Sequence, residues 1–172
     1  MASDGCPALE GKGYNMGNYS HFDDSGRPMM VDVGGKERTV RRAVAECFVE
    51  LPEAVYKALC EGEVAKGDPV RVAELGGIMG AKRTPDLIPL CHSINLEAVR
   101  VRCELAQRRL RIECEASARD ATGVEMEALV GATVAALVFY DMCKALDKGM
   151  VIKEARLLEK SGGRSGNWKS ES

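Results

Sequence analysis

Aromatic side chains are scarce in this chain, with three Phe, four Tyr and one Trp among 172 residues. Stacking on nucleic-acid bases is therefore a poor candidate for the main function, and the core has to be built from Val, Leu, Ile, Ala and Met. Histidine is scarcer still: His21 and His92 are the only two, which nearly excludes a multi-histidine metal site. No CxxC pair occurs. The seven cysteines (Cys6, Cys47, Cys60, Cys91, Cys103, Cys114 and Cys143) are odd in number, so neither a disulfide framework nor a zinc knuckle is indicated, and reduced thiols serving as small core residues are expected. An excess of positive charge is also missing: 24 Lys and Arg stand against 26 Asp and Glu. That balance argues against general attraction to nucleic acid or an anionic membrane, and an anionic ligand must meet a local basic cluster. No uninterrupted apolar run of about 18 residues and no charged-then-apolar leader is seen, so the cytosol is the expected compartment, without a membrane span.

What remains is a chain 45% hydrophobic and 29% charged, enough for one α+β domain with a single core. Residues 1–28 lack a sustained apolar period and read as a loose arm; 29–160 form the domain and 161–172 a Gly-rich tail. Thr39 to Leu51 alternates and is rich in β-branched residues, which predicts a strand. Pro52 suits the start of a helix through Cys60, stopped by Gly62. Asp68 and Pro69 form a cap and first turn for a second helix to about Ala81. The stretch AKRTPDLIPLCHS should be irregular or extended. Asn95 to Leu105 and Arg109 to Ala118 predict a hairpin turning near Gln107. Thr122 followed by Glu125 has the spacing of a capping box, opening a long helix to Leu146 whose middle, Ala128 to Tyr140, is uncharged and so buried. A last strand, Met150 to Leu158, precedes SGGRSGNWKS.

Titratable groups beside apolar ones occur at VAKGD (Lys66), IPLCH (His92), GVEMEAL (Glu125, Glu127) and YDMCK (Asp141, Lys144). Asp141 and Lys144 lie one turn apart on a helix and share a face, as an ion pair or a catalytic pair. Glu127 and Asp141 are roughly 40° apart in azimuth but roughly 21 Å apart along the axis, too far to touch one small substrate. Either the ligand is long, or each helix end belongs to a separate site completed by a neighbouring subunit; the apolar helix favours the second, a homo-oligomer. Lys66 sits by Gly67, where backbone can approach a ligand. Lys82 and Arg83, with Arg41, Lys160 and Arg164 near strand ends, would make a positive pocket if they converge, and crowded ammonium groups would lower one another's pKa. Cys91 and His92 are adjacent, so on an extended segment they point apart, which weakens a thiol dyad. SGGRSG lacks the GKS or GKT ending of a P-loop.

In this order MVDV from Met30, KGD at Lys66, AKRTPDLIPLCH from Ala81, TGVEMEAL from Thr122, YDMCK from Tyr140 and LLEKSGG from Leu157 resemble the cyclic pyranopterin monophosphate synthase family, over about Met29 to Trp168. The resemblance implies a ferredoxin-like α+β domain in a hexamer, a trimer of dimers with sites between subunits. It implies a lyase of molybdenum cofactor biosynthesis that turns 3′,8-cyclo-7,8-dihydroguanosine triphosphate into cyclic pyranopterin monophosphate with release of pyrophosphate. Asp141 then resembles the active-site acid or base, and Lys66 and Lys144 catalytic lysines. Leu90, Cys91 and His92, with Met126 and Glu127, resemble substrate-binding positions, joined by Arg41, Lys82, Glu125 and Lys160. No cofactor is required by the motifs, and a magnesium ion on the triphosphate is compatible with them but demanded by no ligand spacing. Two other classes compete: a nucleotide-binding regulatory module without catalysis, and a cysteine-dependent hydrolase using Cys91 and His92.

Overall fold

The computed structural model describes residues 20–23 and 25–171, in two units, residues 1–32 and 33–172. Residues 1–19, with Cys6 and most of the expected arm, lie outside the described residues. In the first unit Asp23 Oδ1 accepts from the Ser25 hydroxyl at 2.6 Å and from the Ser25 and Arg27 amides at 2.9 Å each. This turn pairs Phe22 with Pro28. The same donors, led by the Ser25 hydroxyl, hold the Asp23 carboxyl below its usual range. His21 is exposed.

The second unit begins with β1, Thr39–Glu50, whose alternate residues Ala43, Ala45, Cys47 and Val49 are fully buried. They lie opposite Ala116, Cys114, Ile112 and Leu110 of β3, Arg109–Asp120. One face of the sheet is thus apolar, as period-two patterning requires. The chain then forms α1 (Glu53–Glu61), closed by Gly62 at φ 70, and α2 (Pro69–Ala81). Asp68 Oδ1 caps α2, accepting from the Val70 and Arg71 amides at 3.0 and 3.1 Å. Pro52 is the residue before α1 rather than inside its first turn.

The stretch expected to be irregular contains a single helical turn, α3, Thr84–Leu87. Pro85 has a φ that suits a first turn, and the Thr84 hydroxyl donates to the Ala81 carbonyl at 3.0 Å. Ile88, which precedes Pro89 by a single residue, is already extended (φ −110, ψ 112), and the helix stops. Strand β2 spans Ala98–Ala106, starting later than Asn95, because Ile94 and Leu96 pack instead against Ala116, Val124 and Ala128. Its hairpin to β3 turns at Gln107 and Arg108, both left-handed (φ 49 and 62), the twist a tight two-residue turn needs.

Helix α4, Glu125–Cys143, is preceded by Val124 and has no side-chain cap. The capping box is absent: Glu125 is the first helical residue, not the third, and its carboxylate folds back over Gly123. The helix ends at Cys143 rather than Leu146, because Lys144 donates to Tyr140 and Leu146 then closes a tighter bond to Cys143. Glycines bring α2 against it: a Cβ on Gly77 would lie 2.8 Å from the Gly131 carbonyl, and one on Gly80 2.7 Å from Val134. By length and mean hydropathy α4 could cross a membrane, but half of its most apolar stretch is buried within this fold.

Strand β4, Val151–Ser161, pairs with β1, and β5, Trp168–Lys169, pairs with Glu159 and Lys160 of β4, so part of the Gly-rich tail joins the sheet. The antiparallel order is β2-β3-β1-β4-β5. Its first four strands follow the βαββαβ path of a ferredoxin-like fold. Helix α4 packs on the sheet, so its two ends project at opposite edges of the core. The other sheet face is charged, with Glu46 buried between Arg111 (2.8 Å) and Arg156 (2.7 Å).

Candidate active site

The expected residues, Lys82 apart, gather at the two ends of α4. At the C-terminal end, Asp141 stands between two ammonium groups: Lys144 Nζ is 2.6 Å from Oδ1 and Lys66 Nζ is 3.3 Å from Oδ2. Lys66 comes from the turn after α1, closed by the Gly67 amide on Val64 with Gly67 at φ 99. It also donates to the Asp141 backbone carbonyl at 2.9 Å, a cation on the negative end of the helix dipole. All three side chains keep 45–59% of their surface exposed. Lys144, then Lys66, hold the Asp141 carboxyl below its usual range. Asp141 in turn raises Lys144, so the lowering expected from crowded ammonium groups does not occur there, because a carboxylate sits between them.

At the N-terminal end, Glu127 is 1% exposed and, its own amide aside, neither carboxylate oxygen has a hydrogen-bond partner among the described residues. Burial, reinforced by the charge of Glu125 and partly offset by its own amide, pushes it up to about 6. Beside it the Cys91 thiol is pushed up by its own burial and by the charge of Glu127. Leu90 is held at φ 63, a conformation that side chains with a Cβ rarely adopt. Cys91 and His92 are half-buried, and Met126 is exposed. This non-glycine strain within LCH has no signature in the sequence.

Arg41, Glu125 and Lys160 lie at the same end. Arg41 donates to the Asp120 and Ala121 carbonyls at 3.1 Å each. Lys160 donates to Ser165 Oγ and, at 2.8 Å, to the Gly166 carbonyl. A cavity of about 600 Å³ opens here, lined among others by Lys36, Arg41, Glu125 and Arg164. Lys36 was not singled out by sequence reasoning, although it follows Gly34 and Gly35 much as Lys66 adjoins Gly67. Lys82 is the exposed residue after α2, and among the described residues no side-chain hydrogen bond or ion pair joins it to either group. The two groups are themselves separated by the helix, roughly 21 Å between Glu127 and Asp141 at 1.5 Å per residue.

The profile of the MoaC family matches residues 30–163. The chain belongs to the MoaC family. Among similar proteins, the cyclic pyranopterin monophosphate synthase of Lysinibacillus sphaericus (strain C3-41) is 48% identical over 157 residues, covering 89% of this chain and 98% of the relative. The synthase of Peptoclostridium acidaminophilum is 47% identical over 154 residues, 90% and 98% of the two chains. That of Bacillus thuringiensis subsp. konkukian (strain 97-27) is 46% identical over 161 residues, 91% and 100%. Both ends of α4 fall within the MoaC match, as do Arg41, Lys66, the LCH segment and Lys160.

Proposed function

We propose that this MoaC-family chain is a cyclic pyranopterin monophosphate synthase, a lyase converting 3′,8-cyclo-7,8-dihydroguanosine triphosphate to cyclic pyranopterin monophosphate and pyrophosphate in molybdenum cofactor biosynthesis. The observation that carries this reading is Asp141 held between Lys66 and Lys144, in a chain nearly half identical to proteins of that name over almost its full length. The purine-derived ring must be opened by water and reclosed, which needs placed proton acceptors and donors. Asp141 is ionised at neutral pH and its two ammonium neighbours favour that form further, so it is offered as the acceptor; Lys144, whose protonated form the same pairing favours, is offered as the donor.

A sugar hydroxyl then attacks the α-phosphorus. The bond to the bridging oxygen breaks, its electron pair leaves with pyrophosphate, and a base takes the hydroxyl proton. Lys144 and Lys82 are proposed to face the growing charge directly, and Lys160 and Arg41 to complete the pocket from its wall. Leu90, Cys91, His92, Met126, Glu125 and Glu127 are proposed to bind the substrate. The separation of the two groups on α4 supports sites shared between subunits of a homo-oligomer, a hexamer as the motifs imply, in the cytoplasm. No resident cofactor is invoked, and any magnesium ion arrives with the triphosphate.

Release of pyrophosphate on incubation with the cyclic triphosphate tests the reading. Binding of the triphosphate without any release would overturn it in favour of a regulatory module. The cysteine hydrolase is disfavoured because burial and the charge of Glu127 push the Cys91 thiol up, where a nucleophilic thiol needs the opposite shift.

A further inference from the structure

The cations at the cavity over the start of α4 are of two kinds. Arg41 is tied into its wall, and Lys160 holds the lining residue Ser165 from behind. The Arg41 guanidinium is spent on the Asp120 and Ala121 carbonyls and lies over Gly163, where an added Cβ would stand 1.7 Å from Nη1. The Lys160 ammonium is spent on Ser165 and Gly166, closing the 161–166 loop from within. That loop is possible only because Gly162, Gly163 and Gly166 take φ of 95, 71 and 60. A Cβ on Gly162 would also strike the Val40 carbonyl at 2.1 Å.

What this construction presents to the cavity is Arg164, and Lys36 lines the same cavity. Neither side chain has an ion pair among the described residues. The carboxylates that also line the cavity are Glu37 and Glu125, the latter folded over Gly123. The uncapped start of α4 adds the positive end of a helix dipole beside Thr122 and Gly123. Two cations without an ion pair among the described residues and a helix start, in a cavity of about 600 Å³, suit a ligand group with more charge than one phosphate.

We propose that Lys36 and Arg164 bind the pyrophosphate half of the triphosphate, while Arg41 and Lys160 act as positioning residues that hold the loop carrying Arg164. The inference rests on the triphosphate reading above. When the bond to the α-phosphorus breaks, its electron pair departs on pyrophosphate, and the added charge develops beside these two cations.

The test uses inorganic pyrophosphate, GTP and GMP as calorimetric probes on the full-length oligomer at fixed ionic strength, with Lys36→Met and Arg164→Met beside the unaltered protein. The unaltered protein should bind pyrophosphate, and each variant should bind it and GTP about tenfold or more weakly, as for loss of a charged hydrogen bond. GMP binding should change in neither, which separates a grip on the outer phosphates from a general structural fault. Circular dichroism and oligomer size check that the variants are folded. Unchanged pyrophosphate affinity in both folded variants, equal losses for GMP and GTP, or no pyrophosphate binding by the unaltered protein would overturn the proposal. If pyrophosphate binds as expected but the cyclic triphosphate is not turned over, the synthase reading fails and the anion site stands.

Discussion

Asp141 and Glu127 are both carboxylates on one helix, and their surroundings drive them in opposite directions. Asp141→Asn removes the negative charge that Lys66 and Lys144 flank, so pyrophosphate release should fall by roughly a hundredfold or more with the fold intact, as read in a turnover assay. For Glu127 the folded pKa is raised to about 6 from a reference of 4.5. The protonated form is therefore favoured by folding, and the associated stability is full below pH 4.5 and lost as pH rises through 6. The difference amounts to about 2 kcal/mol. Glu127→Gln should accordingly flatten the stability profile between pH 4.5 and 7. Urea midpoints at constant protein concentration would show the variant more stable than the unaltered chain at pH 7.5 by about that amount, and activity assays would show it less active. A variant that is destabilised at pH 7.5 would mean the buried carboxylate has a partner in the assembled protein.

At the scale of elements, the contact of α2 with α4 is decided by missing side chains. Gly77→Ala places a methyl 2.8 Å from the Gly131 backbone carbonyl and 3.0 Å from Ala135, which neither helix backbone can yield cheaply. Denaturant unfolding should show a loss of about 1–3 kcal/mol. Asp68→Ala removes the acceptor for the Val70 and Arg71 amides and should cost about 1 kcal/mol in the same assay. Caps and stops of this kind were legible in the sequence: Asp68 with Pro69, Gly62, and the turn at Gln107 all mark the boundaries observed. The start of α4 was not. Thr122 and Glu125 have the spacing of a capping box, but Val124 is drawn into the small core with Ala43, Ala116 and Ala128, and that packing starts the helix at Glu125.

For the whole molecule, one chain carries Lys66, Asp141 and Lys144 at one end of α4 and Glu127, Arg41 and Lys160 near the other. Lys66 and Asp141 touch within the same chain, so subunit mixing has to pair variants from opposite ends. Asp141→Ala and Glu127→Ala proteins, each inactive, should regain about a quarter of normal activity when mixed as equal exchanging partners around two-fold axes. That yield follows if each mixed pair contains one site with both halves intact. No recovery after exchange demonstrated by mass spectrometry would place a complete site within one chain.

Local patterning by itself marked β1 to β4 and helices α1, α2 and α4 in order, though not α3 or β5, because alternation, glycine stops and proline starts act over a few residues and do not depend on distant partners. The linked motifs likewise marked Asp141, Lys66 and Lys144 before any fold was known. Only the tertiary structure decided which of them meet. The turn carrying Lys66 reaches α4 because α2, which follows it, packs on α4, and the cavity with Lys36 and Arg164 exists because β5 and the glycine loop fold back on β4. Convergence of this kind depends on contacts far apart in sequence, such as Lys66 with Asp141, and no spacing along the chain encodes it.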